Sequence, residues 1–188
     1  MVDTKVRKEM GMQKRKIDDL ILLVGAVAYT FFSGRWNVPV MAWIWPFCFL
    51  FFARGHRPAK GLLTLLAIML AASFLKWYGI IGEGLVINLI GAVMLALPYF
   101  VPFVIDRLVC GDRGKHQAIA TSLILPFAFA SVDFLMSFLS TSMVGAVSST
   151  QTDVVIRQLA SLVGSYGITF VVIWFSSIGM VIVDRWDG

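Results

Sequence analysis

Long apolar runs separated by short polar connections dominate this sequence. Six of them are candidates for helices that cross a lipid bilayer, at about 17–34, 38–54, 62–81, 84–105, 118–139 and 159–183. A transmembrane helix needs roughly 20 apolar residues, and a segment inside hydrocarbon must satisfy its backbone polar groups internally. The sequence lacks the alternating segments of about 10 residues that are typical of a membrane β-barrel. The pattern therefore predicts an all-α, polytopic membrane protein with about six transmembrane helices.

The second run, 38–54, is the weakest candidate for a full crossing. It contains Pro39 and Pro46, and at 1.5 Å per residue it would extend only about 24 Å. One helix plus a re-entrant segment over residues 20–53 is the alternative. Aromatic rings that favour the headgroup layer lie near the ends of several runs. They are Trp36, Trp43, Trp45, Trp77, Tyr78 and Trp186.

Lysine and arginine fall mainly on alternate connections. Thirteen of the sixteen lie on one side, in segments 1–16, 54–60, 106–117 and the tail. The other three are Arg35, Lys76 and Arg157. Because cytoplasmic loops carry the excess of Lys and Arg, both termini are predicted to be cytoplasmic. The predicted organisation is a basic cytoplasmic segment 1–16, a six-helix transmembrane domain 17–183 and a cytoplasmic tail 184–188.

The composition also limits the chemistry of the chain. Hydrophobic residues make up 59% and charged residues 14%, against roughly 45–50% and 25% in soluble domains. The net charge of +5 lies in short segments beside the membrane, so membrane phospholipids and not nucleic acid are the expected partner. Cys48, Cys110, His56 and His116 stand apart, and they form no disulfide framework, metal site or catalytic set. We therefore expect no cofactor and no metal.

Polar residues inside the runs gather in the outer half of the predicted bundle, and the inner half is almost wholly apolar. Asp133 lies roughly 10 Å deep in the fifth run. Asn88 is one turn into the fourth run, and Lys76 and Glu83 flank the turn before it. The outer half of the sixth run contains Ser161, Ser165, Tyr166 and Thr169. Since an ionisable group at the centre of a membrane helix costs about 2.5–3.5 kcal/mol or more, each one needs a structural or functional reason.

Two interpretations of these polar residues stay open. The first is a hydrated pocket, open to the outer leaflet, for a lipid headgroup or a docked domain. Its candidate residues are Lys76, Asn88, Asp133, Gln151 and Tyr166. The second is polar contact between helices, with Asp133 paired to Lys76 or to a hydroxyl. Small residues in the sixth run are predicted to pack against neighbouring helices, namely Ala160, Gly164 and Gly167.

The fifth and sixth runs contain a specific pattern. It reads PFAFASVDFL, a polar loop, and then STQTDVVIRQLASLVGSYGITFVVIWFSS. This pattern resembles the membrane domain of apolipoprotein N-acyltransferases. The matching positions are Pro126, Gln151, Gln158, Ala160, Gly164, Tyr166, Gly167, Thr169 and Phe170. The segments NVPVMAWIWPFCFLF and ALPYFVPFVIDRL resemble the second and fourth helices of the family. In the fifth helix the family usually has a Trp and a Glu, often followed by an Arg. This chain has Phe129 or Ala130 at the place of the Trp and Asp133 at the place of the Glu. Leu135 and Met136 stand where the Arg would follow.

The resemblance implies a bacterial inner-membrane protein and a nitrilase-like domain outside the membrane. In that family a Glu-Lys-Cys triad moves an acyl chain from a phospholipid to the N-terminal amine of a lipoprotein. The chain ends at Gly188, so we expect it to lack that domain, as a truncated or split form, and not to catalyse acyl transfer itself. A lipid-binding or scaffold role follows, with phospholipids, a lipoprotein or a separate catalytic chain as partners. The alternatives are a small transporter or channel that uses the outer pocket, and a structural protein without a substrate.

Overall fold

A computed structural model describes residues 3–111, 119–138, 146–151 and 154–186 of the chain. Six α-helices follow one another, α1 (Asp3–Phe31), α2 (Met41–Gly55), α3 (Pro58–Trp77), α4 (Leu85–Cys110), α5 (Ile124–Met136) and α6 (Val154–Trp186). Short 3-10 helices precede the last two, at Ile119–Leu123 and Ser148–Thr150. These ranges contain no strand. The all-α prediction is confirmed.

Three helices among the described residues are long and apolar enough to cross a membrane. They are Pro58–Trp77, Leu85–Cys110 and Gly164–Trp186. The segments Met41–Gly55 and Ala120–Met136 are apolar but shorter. With 15 residues, α2 extends only about 22 Å, which is less than the roughly 30 Å of a typical hydrocarbon core. Six crossings and cytoplasmic termini stay predictions.

Proline and glycine set the ends of the central helices. Pro58 opens α3, where its missing N–H would have no helical partner in any case. Gly84 (φ 109°) precedes α4 and Gly111 (φ 73°) follows it, because glycine alone adopts positive φ without steric cost. Pro98 and Pro102 lie inside α4, and each removes one backbone donor from the helix.

The helix ends meet at two opposite ends of the bundle. We call one the outer end, after the predicted orientation; it carries the connections 32–40, 78–84 and 146–151. There, Arg35 Nη2 donates to Tyr78 O at 2.9 Å, which joins two of these connections. We call the other the inner end, where α2, α4 and α6 finish. Salt bridges connect the last turns of these three helices, so successive helices run in alternating directions.

An aromatic cluster around Trp45 fills the centre of the bundle. The Trp45 ring is fully buried and its centroid lies 5.0–6.4 Å from those of six other rings. They are Tyr29, Phe32, Phe49, Tyr99, Phe103 and Phe129. Aromatic pairs at these distances add about 0.5–1.5 kcal/mol each beyond the area they bury. The expectation that Trp45 lies in the headgroup layer is therefore wrong, because protein encloses its ring.

Candidate functional site

Asp133 links α5 to α6 near the outer end. Its side chain is buried, and its Oδ2 accepts a hydrogen bond from Thr169 Oγ1 at 2.7 Å. A hydrogen bond to a charged acceptor is about twice as strong as one between neutral groups. The sequence predicted either Lys76 or a hydroxyl as the partner of Asp133, and in the structure the partner is the Thr169 hydroxyl.

Lys76 lies in an aromatic cage at the end of α3, away from Asp133. Only 2% of the residue is exposed, and Nζ lies 3.8 Å from the ring centroid of Tyr29 and 4.3 Å from that of Phe32. It also donates to Ser33 Oγ at 3.3 Å and to Tyr29 O at 3.5 Å. Ring faces attract a cation electrostatically. The alternative of a Lys76–Asp133 ion pair is wrong, since neither residue belongs to a salt bridge of the described chain.

Asn88 organises the outer turn between α3 and α4. Its Oδ1 accepts from Gly79 N at 2.9 Å. Its Nδ2 donates to Gly82 O at 2.9 Å and to Gly84 O at 2.7 Å. The amide thus pairs three backbone groups of a turn in which the chain forms no regular helix or strand. The sequence predicted Asn88 one turn into the fourth run, and the structure has it there. Each of its side-chain hydrogen bonds is with a backbone atom.

Gln151 fastens the connection before α6 to the start of α2. Its Oε1 accepts from Trp43 Nε1 at 3.1 Å, and its Nε2 donates to Thr150 Oγ1 at 3.1 Å and to Pro39 O at 3.4 Å. Gln151 is only 4% exposed, so these bonds satisfy an amide that would otherwise be costly to bury. The long-range pairing of Gln151 with Trp43 has no signal in the sequence.

Glycine gives α6 a kink near its outer end. Gly164 is exposed and has φ 72° and ψ 176° inside α6, where it kinks the helix. In the described part of the chain, a Cβ at Gly164 would have no atom within 4 Å. The positive φ of Gly164 requires glycine at this position, and its packing against a neighbouring helix stays a prediction. Gly167 is half-buried and its packing stays a prediction, while the side chain of Ala160 lies outside the described residues.

Tyr166 follows the kink on α6. It is half-buried, and its ring stacks edge-on against Phe134 of α5 with the centroids 5.6 Å apart. The aromatic contact and the Thr169–Asp133 hydrogen bond both connect α5 with α6. The structure therefore distributes the five candidate residues over four separate places at the outer end.

An apolar groove of about 310 Å³ lies at the outer end beside these polar residues. It is lined by Trp77, Ile80, Ile81, Gly91, Met94, Leu95 and Met136. A Cβ on Gly91 would clash with Ile81 Cδ1, so glycine lets the turn approach α4. The sequence interpretation missed the groove, although a glycine inside an apolar helix is a recognised sign of close approach.

A buried ion cluster closes the inner end. Arg54 on α2 forms a two-pronged salt bridge with Asp106 on α4, with Nε–Oδ2 at 3.0 Å and Nη2–Oδ1 at 2.7 Å. Arg54 Nη1 lies 3.7 Å from Asp184 Oδ2 on α6. All three residues are at most 2% exposed. The sequence did not predict this cluster, in which opposite charges at the ends of three helices compensate one another inside the bundle.

Arg107 is a further buried cation at the inner end. It is 4% exposed, and its guanidinium donates to His56 O at 2.8 Å and to Gly111 O. The sequence interpretation assigned Arg54, Asp106 and Arg107 to cytoplasmic loops, but α2 and α4 extend through them. An arginine fork that satisfies backbone carbonyls can be buried at the end of a helix.

A comparison with known families identifies the chain. The sequence profile of the apolipoprotein N-acyltransferase N-terminal domain matches residues 24–178, from the second half of α1 into the last third of α6. No curated protein and no solved structure gives a significant match. The matched segment includes the outer-end groove, the Trp45 cluster and the Thr169–Asp133 pair, and it covers most of the 188 residues. The chain therefore belongs to the family of apolipoprotein N-acyltransferase N-terminal domains.

Proposed function

We propose that this chain is a lipid-binding membrane domain for N-acyl transfer, and that it holds a phospholipid at the outer end of its bundle. Membership of the family supports this role, because the family is named for acyl transfer to apolipoproteins. The observation that carries the proposal is the apolar groove between the turn 78–84, α4 and α5. A lipoprotein or a separate catalytic chain would then meet the phospholipid at this end.

The surroundings of the groove suit an amphipathic ligand. Its lining side chains are apolar, and they match an acyl chain. The exposed guanidinium of Arg35 lies over the same turn, since it donates to the carbonyl of Tyr78, the neighbour of groove residue Trp77. Arginine recognises phosphate through its fork of donors. A phospholipid could therefore place its phosphate at Arg35 and one acyl chain along the groove.

A second apolar groove provides a comparison. It has a volume of about 380 Å³ and runs between α1 and α3, past Ala26, Thr30, Ile68 and Ala71. Its lining also includes Phe31 and Leu75, so it reaches towards the outer ends of both helices. We assign the site to the groove beside the turn 78–84, because Arg35, whose guanidinium could bind a phosphate, donates to Tyr78 O in that turn.

The test fills each groove in turn. Gly91→Leu adds a side chain that fits only if the Ile81 side chain moves, and the two side chains then fill the groove at the outer end. Ala71→Leu adds a side chain to the α1–α3 groove. Displacing two methylenes of a bound acyl chain loses about 1.6 kcal/mol, so Gly91→Leu should weaken the binding of a fluorescent phosphatidylglycerol about tenfold. Ala71→Leu should change it less than about twofold. Unchanged binding by a Gly91→Leu protein with native helicity would refute the lipid site.

The membrane arrangement is also a proposal. We infer six crossings of a bacterial inner membrane with both termini in the cytoplasm, and the support is the distribution of thirteen Lys and Arg residues against three. A cysteine introduced at Gly188 should resist a membrane-impermeant maleimide in intact cells whose outer membrane has been made permeable. Labelling of this cysteine from the periplasm would overturn the proposed topology.

A small transporter or channel is the second candidate. One observation favours it, namely that charged residues are buried near both ends, with Lys76 and Asp133 at one and Arg54 and Asp106 at the other. We rank it lower because the rings around Trp45 fill the bundle between the two ends. Solute uptake into proteoliposomes of the purified chain would favour it over a lipid-binding role.

A further inference from the structure

The exposed apolar surface of the bundle differs in height from one helix to the next. On α4, exposed apolar side chains continue from Leu85 to Leu108, which is about 35 Å at 1.5 Å per residue. On α1 they begin at Ile17 and the helix ends at Phe31, which is only about 21 Å. A typical hydrocarbon core is roughly 30 Å thick, so α4 is long enough to cross it and the apolar part of α1 is not.

The inner ends of these helices lie at one height. Arg54 in the last turn of α2 contacts Asp106 near the end of α4. α1 runs antiparallel to α2, and a Cβ at Gly25 would lie 2.7 Å from Cys48 Cβ. Counted along both helices from this contact, Ile17 of α1 is level with the connection that follows α2 at the inner end. The height that α1 lacks is therefore missing at the outer end.

The connection 32–40 does not rise above the end of α1. Val38 N donates to Phe31 O at 2.9 Å, so the chain returns to the last turn of α1. A Cβ at Gly34, where φ is 75°, would lie only 3.0 Å from Lys76 O, so the connection also rests on the end of α3. Val40 leads directly into α2 and is 57% exposed. These contacts hold the connection at the height where α1 ends.

Two exposed valines compare the depth of this connection with that of α4. Val40 lies about 21 Å from Arg54 along the direction of α2, and Val93 lies about 20 Å from Asp106 along α4. Because Arg54 contacts Asp106, the two valines have nearly the same height. With the ion cluster at the inner boundary of the hydrocarbon, both lie roughly 10 Å below its outer boundary.

Polar side chains are exposed at this depth. Arg35 and Asn37 of the connection 32–40 are both exposed, and charged or polar groups in hydrocarbon are costly. The long side chain of an arginine can extend towards the headgroups. The short side chain of Asn37 does not reach across roughly 10 Å. Water or lipid headgroups must therefore come down to the connection.

We propose that the bundle thins the outer leaflet beside α1 by about 10 Å, so that lipid headgroups meet the connection 32–40. A bilayer accommodates a hydrophobic segment shorter than its core by local thinning. The exposed side chains of Leu20, Val24 and Val27 give α1 an apolar surface for acyl chains, and Arg35 suits a headgroup phosphate. The inference goes beyond the lipid groove and rests only on the proposed crossing of the membrane.

The experiment uses the full chain in nanodiscs of dioleoylphosphatidylcholine. Val40→Cys and Val93→Cys are a matched pair, because the substitution is the same, both positions are exposed and their heights agree. Glu83→Cys on the exposed outer turn is the reference for a thiol in water. The rate of reaction with a charged, membrane-impermeant maleimide is measured for each variant. The native Cys48 and Cys110 are buried, and the wild-type chain gives their background.

The expected result is a large difference between the two valine positions. Val40→Cys should react within about threefold of Glu83→Cys, and Val93→Cys at least about tenfold more slowly, because the thiolate is the reactive form and hydrocarbon disfavours a charge. A fluorophore on each cysteine then reports the lipid. At Val40→Cys a nitroxide on the lipid headgroup should quench more strongly than one at carbon 12 of the acyl chain, and at Val93→Cys the order should reverse.

Equally slow labelling at Val40→Cys and Val93→Cys would overturn the inference, since acyl chains would then cover the connection. So would fast labelling at Val40→Cys without quenching by either lipid, because a water-filled hollow or a protein segment would then replace the thinned leaflet. Fast labelling at Val93→Cys would show that the height assigned to α4 is wrong. Gly91→Leu, which fills the lipid groove, should leave all labelling rates unchanged, so failure of the lipid site is a separate result.

Discussion

The two ends of this bundle bury charge in different ways. At the inner end Arg54 meets Asp106 and Asp184 directly, so opposite charges from three helices face one another. At the outer end Asp133 and Lys76 are also buried, but their contacts in the described structure are two hydroxyls, one carbonyl and two aromatic rings. Direct ion pairs hold the first end together, and neutral dipoles surround the charges at the second.

This difference indicates where a ligand would act. A buried ion pair with good geometry satisfies itself and has little to offer a ligand. A buried charge among neutral partners keeps part of its electrostatic potential, and such groups in membrane helices are commonly functional. The inner end therefore behaves as a structural clamp, and the outer end combines residual charge with an apolar groove.

The largest expected effect comes from breaking the inner clamp. Arg54→Leu leaves Asp106 buried without its cation, which should lower the free energy of unfolding by about 3–5 kcal/mol. Equilibrium unfolding in mixed micelles with rising dodecyl sulfate, followed by circular dichroism, measures the change. Arg57→Leu is the control, since Arg57 is exposed three residues away. The double variant Arg54→Leu/Asp106→Leu should recover only part of the stability, because Asp184 also loses Arg54. Equal stability of Arg54→Leu and wild type would contradict the comparison.

A smaller effect is expected at the outer end. Thr169→Val removes the hydroxyl that donates to Asp133, and a buried acceptor without its partner costs about 1–3 kcal/mol. The same unfolding experiment applies, with Ser161→Ala as the control, because the Ser161 hydroxyl bonds a local carbonyl on an exposed surface. The double variant Thr169→Val/Asp133→Leu should regain the lost stability, because it has no buried carboxylate without a donor. If Thr169→Val lowered the free energy of unfolding as much as Arg54→Leu, the two ends would contribute equally to stability and the comparison would be wrong.

The smallest effect concerns the connection before α6. Gln151→Leu removes the hydrogen bonds to Trp43, Pro39 and Thr150, with an expected loss of about 0.5–1.5 kcal/mol for the neutral pair with Trp43. Gln158→Leu on the exposed face of α6 should have no effect. Quenching of tryptophan fluorescence should report greater exposure of Trp43 in the first variant only. Equal behaviour of the two variants would mean that Gln151 does not anchor the outer end.

The sequence predicted some of the candidate site and missed other parts for identifiable reasons. It located Asp133, Asn88 and Lys76 in the outer half, because a polar residue inside an apolar run is visible without any structure. It did not predict that Lys76 contacts Tyr29 and Phe32 and not Asp133, because the sequence does not show which helix packs beside the end of α3. The groove depends on Gly91 and Ile81 meeting across a turn, and the sequence does not show that contact.

Apolar run length by itself determined that the chain is helical and has segments able to cross a membrane, because backbone groups in hydrocarbon must pair within their own segment. The pattern of residues in the last two helices also determined its family. Only the tertiary structure decided that Trp45 lies in the core, that Gly164 kinks a helix, and that Arg54 meets residues 52 and 130 positions away. These outcomes depend on which helix faces approach each other, and burial turns a solvated charge into one that needs a partner.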